Sequence, residues 1–590
     1  MESKQEVVFQ GTGASGGVVT GPVFRWETAP AVVPERCVPP EETAAELQRL
    51  EMAFTQAKLQ VERVQSRMEN AQDRDSAQIF EAQLQVLEDP VFLEEIIEAV
   101  TSRGINAEKA LYDVSEKYAQ TLLRMEDRYL SERCVDIRDV TRRLLNLLAG
   151  GIAPSALPQT PHILFAREFS PSELASIDRR NLLGLVTSEG SSTSHTSIMA
   201  RAIGIPAVTG LHAPAAAITR GPVEALLDGG RGWLILHPTA KRKAAYARLQ
   251  ETRHRFHERL QDLREAPAVT LDGESVMLSA NIESPADVDA VLASGAHGVG
   301  LFRSEYLFLG SESLPDEECQ FAAYSEVARR LAPAPVIIRT LDLGGDKLSA
   351  SLRLPKETNP ALGCRALRLC LNQPDLFKTQ LRAILRASIF NPSLKIMYPM
   401  VNGVEDLQPA HALLDEAQAE LQARQQPFRS DIEIGVMIEI PSAALSAEWI
   451  APHVRFFSMG TNDLVQYTMA ADRNNARVAH LYAQTHPAIL NLVRRTVEAG
   501  RQAGIWTGVC GEMAWNPALV PLLLGLGVRE LSMAPAVVPV AKNVIRSLRL
   551  ADAEALAVEV SRLASAAEIM KRCRFFVGER VPEVFEWNGP

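Results

Sequence analysis

After Pro267 the sequence repeats one pattern eight times: a short apolar, β-prone run that ends in polar residues, then a helical stretch. In order the runs are "VMLSANIES", "GVGLFRSE", "VIIRTLDLGGDK", "LKIMYPMV", "EIGVMIEIP", "FFSMGTND", "WTGVCGEM" and "ELSMAP". Strands alternating with helices form parallel sheets, and eight such units over one stretch predict a closed (β/α)8 barrel of the TIM type. An open, doubly wound sheet is the alternative, because it uses the same βα alternation. In a barrel the chemistry lies at the C-terminal ends of the strands. Those ends carry Arg303, Arg339, Asp342, Lys347, Glu439, Asn462, Asp463 and Cys510, and Arg365 and Arg473 follow in the adjoining segments.

Several guanidinium groups at one mouth suit a phosphate and a carboxylate, since the planar fork meets both through paired hydrogen bonds. A single such arginine would be an ordinary surface ion pair; five basic residues at strand ends are a site. Glu439 and Asp463 bring two carboxylates among these cations, which predicts a hard divalent ion. Mg²⁺ takes one or two protein carboxylates plus substrate oxygens. Cys510 is flanked by Gly508 and Gly511, so the sequence predicts an exposed thiol in a strand-end loop, with the buried structural cysteine as the alternative.

A second candidate lies in "SEGSSTSHTSIMARAIGIPAVTG", residues 188–210. His195 stands among helix-capping Ser and Thr residues, just before the helical run 198–202. The positive end of a helix disfavours imidazolium and leaves a ring nitrogen nucleophilic. It would also stabilise a phosphate carried on that nitrogen. The plain alternative is a polar surface histidine.

The first residues raise a rival possibility. "GTGASGGVVTGPVF", residues 11–24, contains G-x-G-x-x-G, but a dinucleotide site needs a helix directly behind the glycines. Val18, Val19, Gly21-Pro22, Val23 and Phe24 read instead as strand, turn and strand. The glycines then form a tight turn between strands. From Glu41 to Glu88 there is neither Gly nor Pro, and Leu47, Leu50, Phe54, Ala57, Val61, Val64 and Met68 fall on one helix face. Further helical pattern runs from Val91 to Leu148, broken at Pro90 and Gly104. It predicts an all-helical bundle inserted into a compact α/β domain whose other strands include "HILFA", "LLGLVTS" and "WLILH". A charged helix without Gly or Pro, 241–266, connects this half to the barrel.

The 590 residues carry a net charge of −11, which argues against nucleic acid or an anionic membrane as partner. An anionic ligand must then meet a local cluster of Arg and Lys. Seven scattered cysteines show no metal or disulfide spacing, and neither a leader nor a spanning segment is visible. These features predict a cytoplasmic protein.

"TSHTSIMAR" with "GIPAVTG", "GVGLFRSEYLF", "RTLDLGGDK", "NPALGCRALR", "GVMIEIPSAA", "FFSMGTNDLVQYTMAADR" and "GVCGEMA" closely resemble the phosphoenolpyruvate–protein phosphotransferases, enzyme I of the bacterial sugar phosphotransferase system. The helical insert ends in "YLSERCVDIRDVTRRLL", also similar to that family, and the likeness covers nearly the whole chain in order. It implies a multidomain α/β protein: a phosphohistidine domain at 1–35 and 149–238, an inserted helical carrier-binding domain at 36–148, a linker helix at 239–266 and a phosphoenolpyruvate-binding barrel at 267–590. It implies that His195 is phosphorylated and that Cys510 protonates the enolate. Arg303, Arg339, Arg473, Asn462 and Asp463 would hold phosphoenolpyruvate, with Lys347 and Arg365 counted in the same binding set, and Glu439 and Asp463 would bind Mg²⁺. The implied acceptor is a small histidine phosphocarrier of the HPr type, and the implied assembly a homodimer through the barrel.

The chain departs from the family in three places. The N-terminal turn has Gly16 where Pro is usual, which makes the G-x-G-x-x-G a by-product. Ser191 replaces a glycine, and Leu174 aligns with a threonine near the active histidine, which puts tautomer control of His195 in doubt. Competing readings are a nitrogen-regulatory paralogue without its sensory domain, a non-catalytic phosphoenolpyruvate sensor, and a stand-alone barrel lyase. Intact His195, Cys510, Glu439 and Asp463 weigh against the sensor, and the histidine domain against the lyase.

Overall fold

The computed structural model describes residues 5–26, 33–70, 74–123, 128–149, 160–169, 173–174, 177, 179–190, 195–211, 222–309, 313–344, 357–473, 475 and 477–585. At 63–70, 74–79, 123, 128–133, 135, 179, 195, 198 and 202–203 only the backbone is described. The chain divides near residue 251 into two compact units.

The first unit begins with three strands, β1 (Val7–Gln10), β2 (Thr12–Ser15) and β3 (Val18–Arg25). Five helices follow: α1 (Thr43–Asn70), α2 (Arg74–Glu88), α3 (Pro90–Arg103), α4 (Ala107–Leu123) and α5 (Arg128–Leu148). The periodic stripe read from the sequence, Leu47 to Met68, lies within α1. Leu50, Phe54, Ala57 and Val61 of α1 are buried at i, i+4, i+7 and i+11, the apolar stripe of an amphipathic helix. Pro90 and Gly104 act as the punctuation expected of them. Asp89 Oδ1 accepts from Val91 N–H at 2.9 Å with Pro90 in the first turn, and Gly104 closes α3 at φ +58°.

The chain then completes one eight-stranded sheet with β4 (His162–Ala166), β5 (Leu182–Thr187), β6 (Ala207–Thr209), β7 (Val223–Asp228) and β8 (Trp233–Leu236), in the order β1-β8-β7-β3-β4-β5-β6-β2. The opening glycines serve the sheet. A Cβ on Gly13 would lie 2.4 Å from Gly229 O, and Gly17 holds φ +113° in the turn from β2 to β3. A strand follows the glycines, which excludes the dinucleotide reading. No turn occurs at Gly21-Pro22, contrary to the sequence expectation: β3 runs straight through. Pairing with β4 starts only at Val23, so Pro22 sits where its missing N–H forfeits no ladder bond. Gly21 leaves room for Leu183, whose Cδ1 would lie 2.5 Å from a Cβ there.

The helix Ala240–Asp262 crosses from one unit to the next. Tyr246 in its first half is buried against the sheet, in one cluster with Leu226 and Ile235, whereas Phe256 and Leu260 belong to the core of the second unit.

That second unit is a closed barrel of eight parallel strands: β9 (Met277–Ile282), β10 (Val299–Arg303), β11 (Val336–Arg339), β12 (Leu394–Tyr398), β13 (Glu433–Ile438), β14 (Phe456–Met459), β15 (Trp506–Val509) and β16 (Glu530–Met533). All eight fall within the runs read from the sequence. Pairing of β16 with β9 closes the ring and excludes the open sheet. The interior is packed by Leu301, Ile337, Met397, Met437, Phe456 and Cys510, with Trp506 stacked on Phe456 at 4.6 Å.

Candidate active site

Parallel pairing carries β10 and β11 upward in register, so their last residues, Arg303 and Arg339, are Cα partners at the mouth of the barrel. Two guanidinium groups side by side repel unless each has its own anion. Arg303 Nη1 donates to Glu283 Oε1 at 2.9 Å. Arg339, 8% exposed, donates through Nη2 to Glu305 and through Nη1 approaches Asp342 Oδ2 at 3.0 Å. Burial works against the charge of Arg339, but Glu305, Asp342 and Glu439 outweigh it and hold the group protonated.

Arg365 enters from the segment after β11, where it bridges to Gly344. Its Nη2 lies 2.7 Å from Asp342 Oδ1, and its Nη1 lies 3.3 Å from Asp463 Oδ2 and 3.2 Å from the Tyr467 hydroxyl. Asp342 therefore has one oxygen on each of two arginines. The next residue, Ala366, is held at φ +53°, a strained conformation for a residue with a Cβ.

Glu439 follows the last residue of β13 and is 2% exposed. Its Oε1 accepts the Met400 N–H at 2.7 Å, and a Cβ on Gly460 would lie 2.8 Å from its Oε2. Asn462 and Asp463 occupy the first turn of the helix Thr461–Met469, directly after β14, where an acidic side chain is favoured by the dipole. Ligand atoms of Asp342, Glu439 and Asp463 all lie within 4.8 Å of one another. Counting Glu305, four buried carboxyl groups face two guanidinium groups, Arg339 and Arg365. Burial first, then the charges of Asp342 and Asp463, push the Glu439 carboxyl up to about 8. A carboxyl crowded in this way calls for a cation. The all-oxygen donor set and the surplus of carboxyl groups over guanidinium groups fit Mg²⁺.

Cys510, one residue beyond β15, is 3% exposed, so the expectation of an exposed thiol is wrong. Its neighbouring glycines accommodate close packing: a Cβ on Gly508 would meet the Glu530 carboxylate and one on Gly511 the Thr461 hydroxyl. The thiol donates to Met459 O at 3.6 Å. Burial pushes it up to about 11, against the influence of the neighbouring Ser458 hydroxyl and the charge of Arg339, so it stays protonated at neutral pH.

Asn462 is tied to the β15 loop: its Oδ1 accepts from Glu512 N–H at 2.8 Å. Arg473 is exposed and reaches the Tyr482 hydroxyl, which in turn donates to Asn462 O at 3.2 Å. The structure thus gathers Arg339, Arg365, Glu439, Asp463 and Cys510 closely, sets Arg303 beside Arg339, and joins Arg473 to the rim through Tyr482. Lys347 and Ser191 lie outside the described residues.

In the first unit the backbone of His195 opens the helix His195–Ile203, three residues earlier than the run read from the sequence; its side chain is not described. Thr196 Oγ1 donates to Phe169 O at 3.1 Å. Leu174 is 1% exposed and shares an apolar cluster with Met199 and Ala200 of this helix.

Sequence reading missed Glu305 as the partner of Arg339 and Asp342 as the third carboxylate of the cluster. Both had a signal. Glu305 stands two residues past Arg303 and Asp342 three past Arg339, at the strand ends where a buried guanidinium must find an anion.

Three family descriptions match along the chain: the N-terminal domain of PEP-utilising enzymes over residues 10–133, their mobile domain over 158–232, and their PEP-binding domain over 257–550. Curated relatives named phosphoenolpyruvate-protein phosphotransferase match over nearly their full length. The protein from Priestia megaterium is 41% identical, covering 96% of this chain and 99% of its own. That from Staphylococcus carnosus is 40% identical, over 90% and 92%. That from Bacillus subtilis is 40% identical, over 95% and 98%. With this identity over almost the whole length, the chain belongs to the phosphoenolpyruvate-protein phosphotransferase family of PEP-utilising enzymes.

Proposed function

We propose that this enzyme transfers the phosphoryl group of phosphoenolpyruvate to its own His195 and then to a histidine of a small HPr-like phosphocarrier, releasing pyruvate, as the first step of a cytoplasmic sugar phosphotransferase system. The observation that carries the reading is the buried constellation of Arg339 and Arg365 with Asp342, Glu439 and Asp463 at the barrel mouth. In this reading residues 1–35 and 149–238 form the phosphohistidine domain, 36–148 the carrier-docking insert and 267–590 the substrate barrel, through which two copies pair.

The guanidinium groups of Arg303, Arg339 and Arg365, with Lys347 and Arg473, hold the phosphate and carboxylate of the substrate. Fixed positive charge there favours a loose phosphoryl transition state, whose charge spreads over the equatorial oxygens. A neutral His195 ring nitrogen attacks phosphorus in line. The P–N bond forms as the bond from phosphorus to the enol oxygen breaks, and the electron pair stays with the enolate. The S–H of Cys510 then breaks, its proton adds to the methylene carbon to give pyruvate, and the thiolate takes a proton from water. A thiol pushed up to about 11 holds its proton until a strongly basic carbon appears. Asp342, Glu439 and Asp463 would hold Mg²⁺, which when bound neutralises phosphate charge.

The test is incubation with phosphorus-labelled phosphoenolpyruvate and Mg²⁺. The reading requires acid-labile, base-stable label on the protein, lost in His195→Ala and passed to an HPr-type carrier. Absence of label on the wild-type chain would overturn it.

A further inference from the structure

Directly behind the arginine pair lies a closed polar network in an otherwise apolar part of the barrel wall. Its centre is Gln380, 1% exposed, on the helix Pro374–Ala387. Its Oε1 accepts the Leu341 N–H at 2.8 Å, while Nε2 donates to Ser304 Oγ at 2.9 Å and to the Tyr324 hydroxyl at 3.0 Å. Ser304 Oγ donates onward to Arg339 O at 2.6 Å, and Tyr324 donates to Gln320 Oε1 at 3.3 Å. Ser304, Tyr324 and Gln320 are all fully buried.

The placement is specific. Ser304 stands between Arg303 and Glu305, and Leu341 stands between the Arg339 strand end and Asp342. One side-chain amide therefore grips the residue after one arginine and the residue before the acid that pairs with the other. Through Ser304 it also fixes the carbonyl of Arg339 itself.

Donor direction makes glutamine necessary. The Leu341 N–H can only donate, so it fixes which end of the amide is the oxygen. The Ser304 proton is spent on Arg339 O and the Tyr324 proton on Gln320, so both hydroxyl oxygens must accept. The central side chain must then offer one acceptor and two donors at this reach, which a neutral primary amide does. A carboxylate of the same shape would face two acceptor oxygens and draw the Ser304 proton away from Arg339.

We propose that Gln380 is a positioning residue that sets the relation between the Arg303 and Arg339 strand ends and so tunes the affinity for phosphoenolpyruvate. It touches no substrate. The proposal rests on the reading of the barrel mouth as the phosphoenolpyruvate site. Two forks on neighbouring strands grip one small anion only if their spacing is kept, and displacements near 1 Å cost on the order of a hundredfold in such sites.

The test compares full-length Gln380→Glu, Ser304→Ala and Gln320→Leu with wild type. Phosphoenolpyruvate binding is measured calorimetrically with Mg²⁺ in the His195→Ala background, KM and kcat for self-phosphorylation in the His195 chain, and thermal unfolding in both. Gln380→Glu and Ser304→Ala should weaken binding and raise KM by about tenfold or more, with a smaller change in kcat. Gln320→Leu opens the far end of the same network, so it should lower the unfolding temperature while leaving the affinity within about twofold. Equal loss of affinity in Gln320→Leu at equal unfolding temperature would reduce the effect to general stability and overturn the proposal. Wild-type affinity in Ser304→Ala would overturn it as well, even if Gln380→Glu did not fold. Wild-type chain that binds no phosphoenolpyruvate would instead overturn the reading of the site, and this inference with it.

Discussion

The Met400 N–H donates to Glu439 Oε1 at 2.7 Å from a backbone held at φ +55°. A non-glycine residue in the left-handed region is strained, and such strain persists where surrounding structure over-determines it. Met400 is 1% exposed, and its sulfur lies 3.8 Å from the Tyr467 hydroxyl, so packing holds it in place. The consequence is a carboxylate fixed by one oxygen, its other oxygen set against Gly460. Glu439 is thus pre-oriented within a cluster whose charges repel it.

That arrangement predicts a conflict between stability and activity. Glu439→Gln removes a carboxyl whose ionisation burial and the neighbouring acids disfavour, yet keeps the bond from Met400, so the metal-free protein should unfold at an equal or higher temperature at neutral pH. Glu439→Ala, Asp463→Ala and Asp342→Asn should each lower Mg²⁺-dependent turnover. Loss of a ligand removes several kcal/mol of charge stabilisation from the transition state. Titrating Mg²⁺ against rate checks each residue in turn. Near wild-type rates for one of them at limiting Mg²⁺ would remove that residue from the cation site.

His195→Ala should abolish self-phosphorylation and leave phosphoenolpyruvate binding close to that of wild type. The groups proposed to hold substrate all lie in the unit beyond residue 251, whereas His195 lies in the other. Calorimetric titration of the variant, beside the labelling assay, gives both answers. Stoichiometric label on the variant would disprove the assignment.

Cys510→Ala separates two stages of the reaction. Phosphoryl transfer does not need the thiol, so the variant should still take label, whereas pyruvate release should fall by about 10²–10⁴, the usual worth of a positioned general acid. Because Cys510 is buried in the barrel interior, a modest loss of stability should accompany the change. Single-turnover runs that follow phosphohistidine and pyruvate separately decide the matter. If both slow equally, or neither does, the proton-donor role fails.

Much of this architecture is legible before any coordinates, because βα alternation and strand-end polarity are local signals. The eight barrel runs and the convergence of Arg303, Arg339, Glu439, Asp463 and Cys510 follow from them. What escaped depends on partners distant in sequence. Pro22 reads as a turn former until β4 is seen to begin pairing only at Val23. The glycines around Cys510 suggest an open loop, but their missing side chains are what let Glu530 and Thr461 close in. Gln380 carries no local signal at all. A glutamine on an amphipathic helix reads as solvent-facing, and its importance comes from Ser304 and Leu341, 76 and 39 residues away.

Glu530 supplies the last prediction. It is the first residue of β16, fully enclosed in the barrel, and two glycines make its space: a Cβ would lie 1.9 Å from its Oε2 if added to Gly508, and 2.6 Å from its Oε1 if added to Gly300. Its Oε1 has no hydrogen-bond partner, and the Ser279 hydroxyl lies near the carboxyl. Burial raises the group from 4.5 to about 7, only partly opposed by the Ser279 hydroxyl. A carboxyl whose folded value is raised gives its full stability below 4.5, where both states are protonated. Stability then falls as pH rises toward 7, because the unfolded chain ionises and the folded chain resists. Above 7 the penalty is complete, about 3 kcal/mol at 1.36 kcal/mol per pH unit. Glu530→Gln keeps the shape and cannot ionise. It should therefore match wild type near pH 4.5 and exceed it by up to about 3 kcal/mol at pH 8. Hydrogen exchange of the barrel strands, measured at both pH values, reads this difference directly. An equal gain at both would mean that packing rather than ionisation controls the site, and a loss at pH 8 would mean that the carboxylate is stabilised inside the barrel.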